Sequence, residues 1–141
     1  MFGSGKNHLR RLLDGEINRA QRFDYSIGLL ELEVKVKFSE NIHHLLPGTT
    51  LNVRKIRSQL RAYDHVENTA VRHFTVILPN IRNLNDADMV RARIRRTADQ
   101  ERWGAVNIGL AVFPFDGDNA EEILHKAELD LKRPEKTTKF Y

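Results

Sequence analysis

Arg61–Asn80 reads RAYDHVENTAVRHFTVILPN. It suggests a helix end, then a short strand, then a turn at Thr69-Ala70. An apolar strand Val71–Leu78 follows, closed by Pro79-Asn80. Two strands joined by a tight connection present their turn outward, so the turn residues are candidates for function.

Upstream, Met1–Lys6 (MFGSGK) is small and Gly-rich and is expected to be a flexible end or linker, with 7–141 forming a single domain. Asn7 is the expected cap of a helix to about Arg22, with Leu9, Leu12, Leu13, Ile17 and Ala20 on one stripe. Tyr25–Val36 reads as a strand that starts as a buried run and then alternates apolar and charged residues. Ser39–Leu46 suggests a short helix stopped by Pro47-Gly48. Thr49 or Thr50 is the expected cap of the next helix, which buries Leu51, Ile56 and Leu60.

Downstream of the hairpin, Asp86 is the expected cap of a basic amphipathic helix to about Thr97, with Met89, Val90 and Ile94 inward. Gln100–Gly104 then leads, with Trp103 packed beneath it, to a strong strand, Ala105–Phe113. Asn119 caps a last helix through Lys132, and Thr137–Tyr141 reads as a terminal edge strand. This order predicts an α/β fold (α+β in some schemes), with a mixed central sheet flanked by helices.

The 141 residues, 40% of them hydrophobic, suffice for one ordinary core. No apolar run approaches the roughly 20 residues that span a bilayer, so no membrane insertion of this segment is expected. There is no cysteine, which removes disulfides and thiolate metal sites and suits a cytoplasmic location. The net charge of +4 mildly favours an anionic partner. Basic residues are scattered among acids without an aromatic stacking motif, so no nucleic acid is expected. Glu40, His43 and His44 are weak metal candidates, because three ligands without a fourth more often form a solvated surface.

Four separated stretches carry a resemblance. They are Ile27–Glu33 (IGLLELE), Phe74–Pro79 (FTVILP), Asn107–Gly117 (NIGLAVFPFDG) and Ala120–Leu131 (AEEILHKAELDL). In order and spacing they resemble the GGDEF domain of bacterial diguanylate cyclases, which condense two GTP molecules into cyclic di-GMP. The resemblance runs from about Leu9 to Tyr141 and implies the nucleotide-cyclase-like fold.

The departures fall on the active site. The signature Gly-Gly-Asp/Glu-Glu-Phe falls on Ala70-Val71-Arg72-His73-Phe74. In the family the glycines let the backbone approach the nucleotide, which the β-branched Val71 hinders. The acidic pair that helps hold Mg²⁺ is replaced by Arg72 and His73, a guanidinium that cannot coordinate Mg²⁺ and an imidazole that it disfavours. The metal aspartate on the first strand corresponds to Glu31, and the guanine-reading pair to Ser39 and Gly48. The resemblance with these departures implies a pseudoenzyme with no catalytic residues, no Mg²⁺ and no other cofactor.

The family's inhibitory product site, Arg-x-x-Asp, ends five residues before the signature. Here Arg61-Ala62-Tyr63-Asp64 stands in that register. An arginine can donate two parallel bonds to guanine O6 and N7, and an aspartate can accept from N1–H and N2–H. Arg93 matches the family's second arginine, with Arg91 and Arg95 as alternates. Arg11-Leu12-Leu13-Asp14 is a second copy of the motif, so a purely local ion pair is the competing explanation. The leading expectation is a cyclic di-GMP receptor or regulatory module in signal transduction. The alternatives are a ligand-free interaction or dimerisation module, with a protein partner, an upstream sensory domain or a second copy, and GTP binding without turnover.

Overall fold

A computed structural model describes residues 2–35 and 53–133. Helix α1 spans Phe2–Phe23, strand β1 Ser26–Lys35, β2 His65–Ala70 and β3 His73–Ile81. Helix α2 spans Leu84–Gln100, β4 Ala105–Phe113 and α3 Ala120–Lys132. A further short helical stretch covers residues 53–57.

The strands order as β2-β3-β1-β4, and every pairing is antiparallel. The expected mixed sheet is therefore corrected among the described residues. Strands β1 and β2 run the same way, as do β3 and β4, but each such pair is separated by a strand of opposite direction.

Alternation along the strands divides the core in two. Leu30, Leu32 and Val34 of β1 meet Val76, Leu78, Ile108 and Leu110 on one face, beneath Ala87, Ile94 and Ala98 of α2 and Ile56. Ile27 and Leu29 meet Ile77, Ala111 and Phe113 on the other, beneath α1 (Leu9, Leu13, Ile17, Ala20) and α3 (Ala120, Ile123, Ala127). The sheet is thus covered by helices on both faces.

Helix α1 begins at Phe2, ahead of the expected cap at Asn7. Asn7 is exposed, so its weak helix propensity is offset by the apolar stripe that begins at Leu9. Helix α2 is capped by Asn83, not Asp86: the Asn83 Oδ1 accepts from the Asp86 N–H at 3.3 Å. Asp86 instead accepts from the backbone and guanidinium of Arg82. Met89 is 59% exposed rather than inward, because it lies roughly 140° round the axis from the buried Ile94.

Strand β4 and the Asn119 cap of α3 fall where the sequence puts them, and Trp103 is buried as expected. Asn119 Oδ1 accepts from the Glu122 N–H at 2.9 Å. Asn119→Ala is expected to lower stability by about 1 kcal/mol, measured as a shift in the urea midpoint at unchanged slope.

The helix expected at Ser39–Leu46, the Thr49/Thr50 cap, the terminal strand, and Ser39, Glu40, His43, His44 and Gly48 lie outside the described residues. No helix among the described residues is long and apolar enough to cross a membrane.

Candidate functional site

The hairpin turns at Val71-Arg72, two residues later than expected. Its position is fixed by pairing: Ala70 stands opposite His73, and the Val34 N–H donates to the Arg72 carbonyl at 2.9 Å. Arg72 takes up the left-handed conformation (φ 58°) that the two-residue connection requires. Val71 is 64% exposed at the tip.

Strand β3 also runs past Pro79-Asn80 to Ile81. Pairing with β2 has ended at Ile77, and the register on β1 shifts between Ser26 and Gly28. Pro79 therefore sits at a bulge, where its missing N–H costs no ladder bond.

Near the turn, Glu31 and Glu33 of β1 lie across from Thr75 and His73 of β3. Glu31 Oε1 accepts from the Thr75 hydroxyl at 3.0 Å. His73 Nε2 is buried without a hydrogen-bond partner among the described residues. These residues hold no group of three or more His, Asp or Glu arranged to bind a metal ion.

Arg61 and Asp64 occupy the corner leading into β2. The Asp64 N–H donates to the Arg61 carbonyl at 3.0 Å, and the Arg61 N–H donates to Asp64 Oδ2 at 2.7 Å. The guanidinium grips the same carboxylate through Nη2 to Oδ1 at 2.7 Å and through Nε at 3.1 and 3.2 Å. Arg61 Nη2 also donates to the Pro79 carbonyl at 2.8 Å, which fastens the corner to β3. The Asp64 side chain is only 1% exposed and that of Arg61 40%. Burial works against the Arg61 charge, yet the hydrogen bond and charge of Asp64 raise its pKa further above its ordinary value.

Two residues that sequence reasoning passed over complete the corner. Arg57 donates to the carbonyls of Asp64, Arg61 and Ala62 at 2.6, 2.6 and 3.2 Å. Tyr63 lies with its ring 4.4 Å from the Arg61 guanidinium carbon, and its hydroxyl accepts from Arg61 Nη1 at 2.8 Å. A cation four residues before Arg61, and an aromatic residue inside the motif, were the signals for both.

The three arginines of α2 separate by face. Arg91 pairs with Asp88 and, at 3.8 Å, with Asp130 of α3, while Arg95 donates to the Val106 carbonyl at 3.4 Å. Arg93 points elsewhere, exposed and without a hydrogen bond or ion pair to another described residue. It lies seven residues after Asp86, on the same helix face. The hydrogen bond from Arg82 holds the Asp86 carboxyl below the usual range, and the charge of Arg61 contributes a smaller pull. A surface cavity of about 760 Å³, lined by Tyr25, Asn80, Arg82 and Pro114 among others, contains none of the expected site residues.

No protein-family model matches the chain, and no curated protein does. Solved structures do. The GGDEF domain of TpbB (YfiN) from Pseudomonas aeruginosa superposes with a TM-score of 0.77 at 20% identity, covering 89% of this chain and 80% of that one. A microbial GGDEF domain described with cyclic di-GMP gives 0.74 at 19% identity, covering 89% and 82%. The diguanylate cyclase SiaD of Pseudomonas aeruginosa, in complex with its activator SiaC, gives 0.69 at 23% identity; 89% of this chain spans 52% of that one. The chain has the fold of a GGDEF domain.

Proposed function

We propose that this is a GGDEF-type domain without cyclase activity that binds cyclic di-GMP through Arg61 and Arg93, with Asp64 acting chiefly to hold Arg61. The observation that carries the reading is a part-exposed guanidinium held in place at Arg61; Arg93 of α2 is a second exposed cation, without a hydrogen bond or ion pair to another described residue. Cyclic di-GMP is dianionic and offers guanine edges that arginine recognises with two parallel bonds. One of the solved structures similar to this chain is a GGDEF domain described with that nucleotide.

Loss of turnover is supported by the chemistry at the hairpin. Val71 and Arg72 stand at the turn, where a nucleotide phosphate would need open backbone and a metal. Glu31 is engaged by the Thr75 hydroxyl, His73 across from Glu33 supplies an imidazole, and the turn supplies the Arg72 guanidinium. These residues do not fit Mg²⁺. The reading implies a cytoplasmic location.

Calorimetric titration with cyclic di-GMP, with GTP-Mg²⁺ as control, tests it. Micromolar binding is expected, with no cyclic di-GMP formed from GTP. Arg93→Ala is expected to weaken binding about tenfold without changing Tm, since it removes one charge-assisted contact. Absence of heat at millimolar ligand with the domain folded overturns the receptor reading.

A second reading has an observation of its own. The buried Asp64 has both carboxylate oxygens taken by Arg61, as suits a structural corner in a ligand-free interaction or dimerisation module. In that case neither nucleotide binds and light scattering finds a dimer or a protein complex.

A further inference from the structure

Arg61 has five N–H donors, and nearly all are in use. Nε faces Asp64, while Nη2 serves Asp64 Oδ1 and the Pro79 carbonyl. Nη1 serves the Tyr63 hydroxyl, and the Tyr63 ring covers one face of the guanidinium. Only one Nη1 N–H is uncommitted, so a guanine that takes a second donor or stacks on the guanidinium face meets an existing partner, and one of these must leave.

The candidates to leave are unequal. Asp64 is buried, and its release would strand a carboxylate. The Pro79 carbonyl belongs to a central strand and cannot swing away. Tyr63 is 54% exposed on a surface corner, and rotation about its side-chain bonds would return the hydroxyl to water.

We infer that Tyr63 is a gate on Arg61. In the free domain it occupies the donor and the π face that a guanine base takes, and it turns away when the base arrives. The inference rests on the reading of Arg61 as a nucleotide contact. It makes Tyr63 a positioning residue, setting how tightly, and not whether, the site binds.

Two measurements separate this inference from the functional reading. The first needs no nucleotide: Arg61 is modified with phenylglyoxal and followed by peptide mass spectrometry in the native domain, Tyr63→Phe and Tyr63→Ala. Arg61 modification is expected to accelerate in Tyr63→Phe and further in Tyr63→Ala, with Arg93 unchanged as internal reference. The second is calorimetry with cyclic di-GMP, where Tyr63→Phe is expected to tighten binding about fivefold by releasing one exposed hydrogen bond. An unchanged Arg61 rate, or weaker binding by Tyr63→Phe, overturns the gate. Faster modification with no nucleotide binding in any variant overturns the receptor reading and reduces Tyr63 to a cover over Arg61, not a nucleotide gate.

Discussion

Gly109→Ala is expected to lower stability by about 3 kcal/mol or more. A Cβ at this position of β4 would lie 2.2 Å from the Ala127 carbonyl oxygen, 2.5 Å from the Leu131 nitrogen and 2.8 Å from its Cα. All of these are backbone atoms of α3, so no side-chain rotation relieves the clash. The helix would have to lift from the sheet, loosening Ile123 and Ala127 from the core and straining the bond from the Leu110 N–H to Asp130 Oδ2. Gly15→Ala is the internal contrast, because nothing lies within 4 Å of its Cβ and the site is inside α1. There the same change should raise stability by about 1 kcal/mol, as alanine restricts the unfolded chain and favours helix. Urea denaturation of both variants measures the two signs, and a native midpoint for Gly109→Ala would contradict the close approach of α3.

Asp64→Asn is expected to cost about 2 to 3 kcal/mol. An amide keeps one acceptor for the Arg61 N–H but turns an NH₂ group toward a guanidinium that also only donates. The value is held toward the low end of buried pairs because the Arg61 side chain is 40% exposed and water screens part of its charge. Arg61→Ala, which leaves the buried carboxylate unpaired, should destabilise to a similar degree. Joining the two changes should cost clearly less than their sum, a coupling that a double-mutant cycle in urea reads directly. A change of less than about 0.5 kcal/mol in Asp64→Asn would mean that the corner does not help hold the hairpin in place.

The parts of the fold legible in the sequence were those whose boundaries are local. Strand β4 lies between Gly104 and Pro114, and α3 starts at an asparagine with a carboxylate three residues on, so neither needs distant information. The hairpin turn was misplaced because Val71-Arg72 contains no glycine, asparagine or proline to mark it. Its position comes from the register of β3 on β1, which pairs His73 with Glu33. Asn83 and Asp86 are both competent caps, and the choice followed from the bonds between Asp86 and Arg82.

At the candidate site the Arg-x-x-Asp spacing was visible, but not that Arg61 would close over Asp64. That closure depends on a carbonyl 18 residues away, at Pro79, and on the fork from Arg57 beneath it. Helix periodicity separates Arg93 from Arg91 and Arg95, but the sequence did not show that Asp130 of α3 would stand beside Arg91.

The central place of β1 has a consequence for how the chain acquires its structure. Leu30 pairs with Val76 on one side and with Leu110 on the other, 46 and 80 positions further along. This strand is thus the first of the four to be made and among the last to find both neighbours. Until residues beyond 100 have emerged, Ile27, Leu29, Leu30 and Leu32 have an incomplete sheet to join, with bare strand edges on a nascent chain. Such long-range pairing slows folding relative to a helical domain of equal length. A fragment ending before β4 should therefore be captured by chaperones or aggregate, whereas the chain carried through α3 should release as a folded unit.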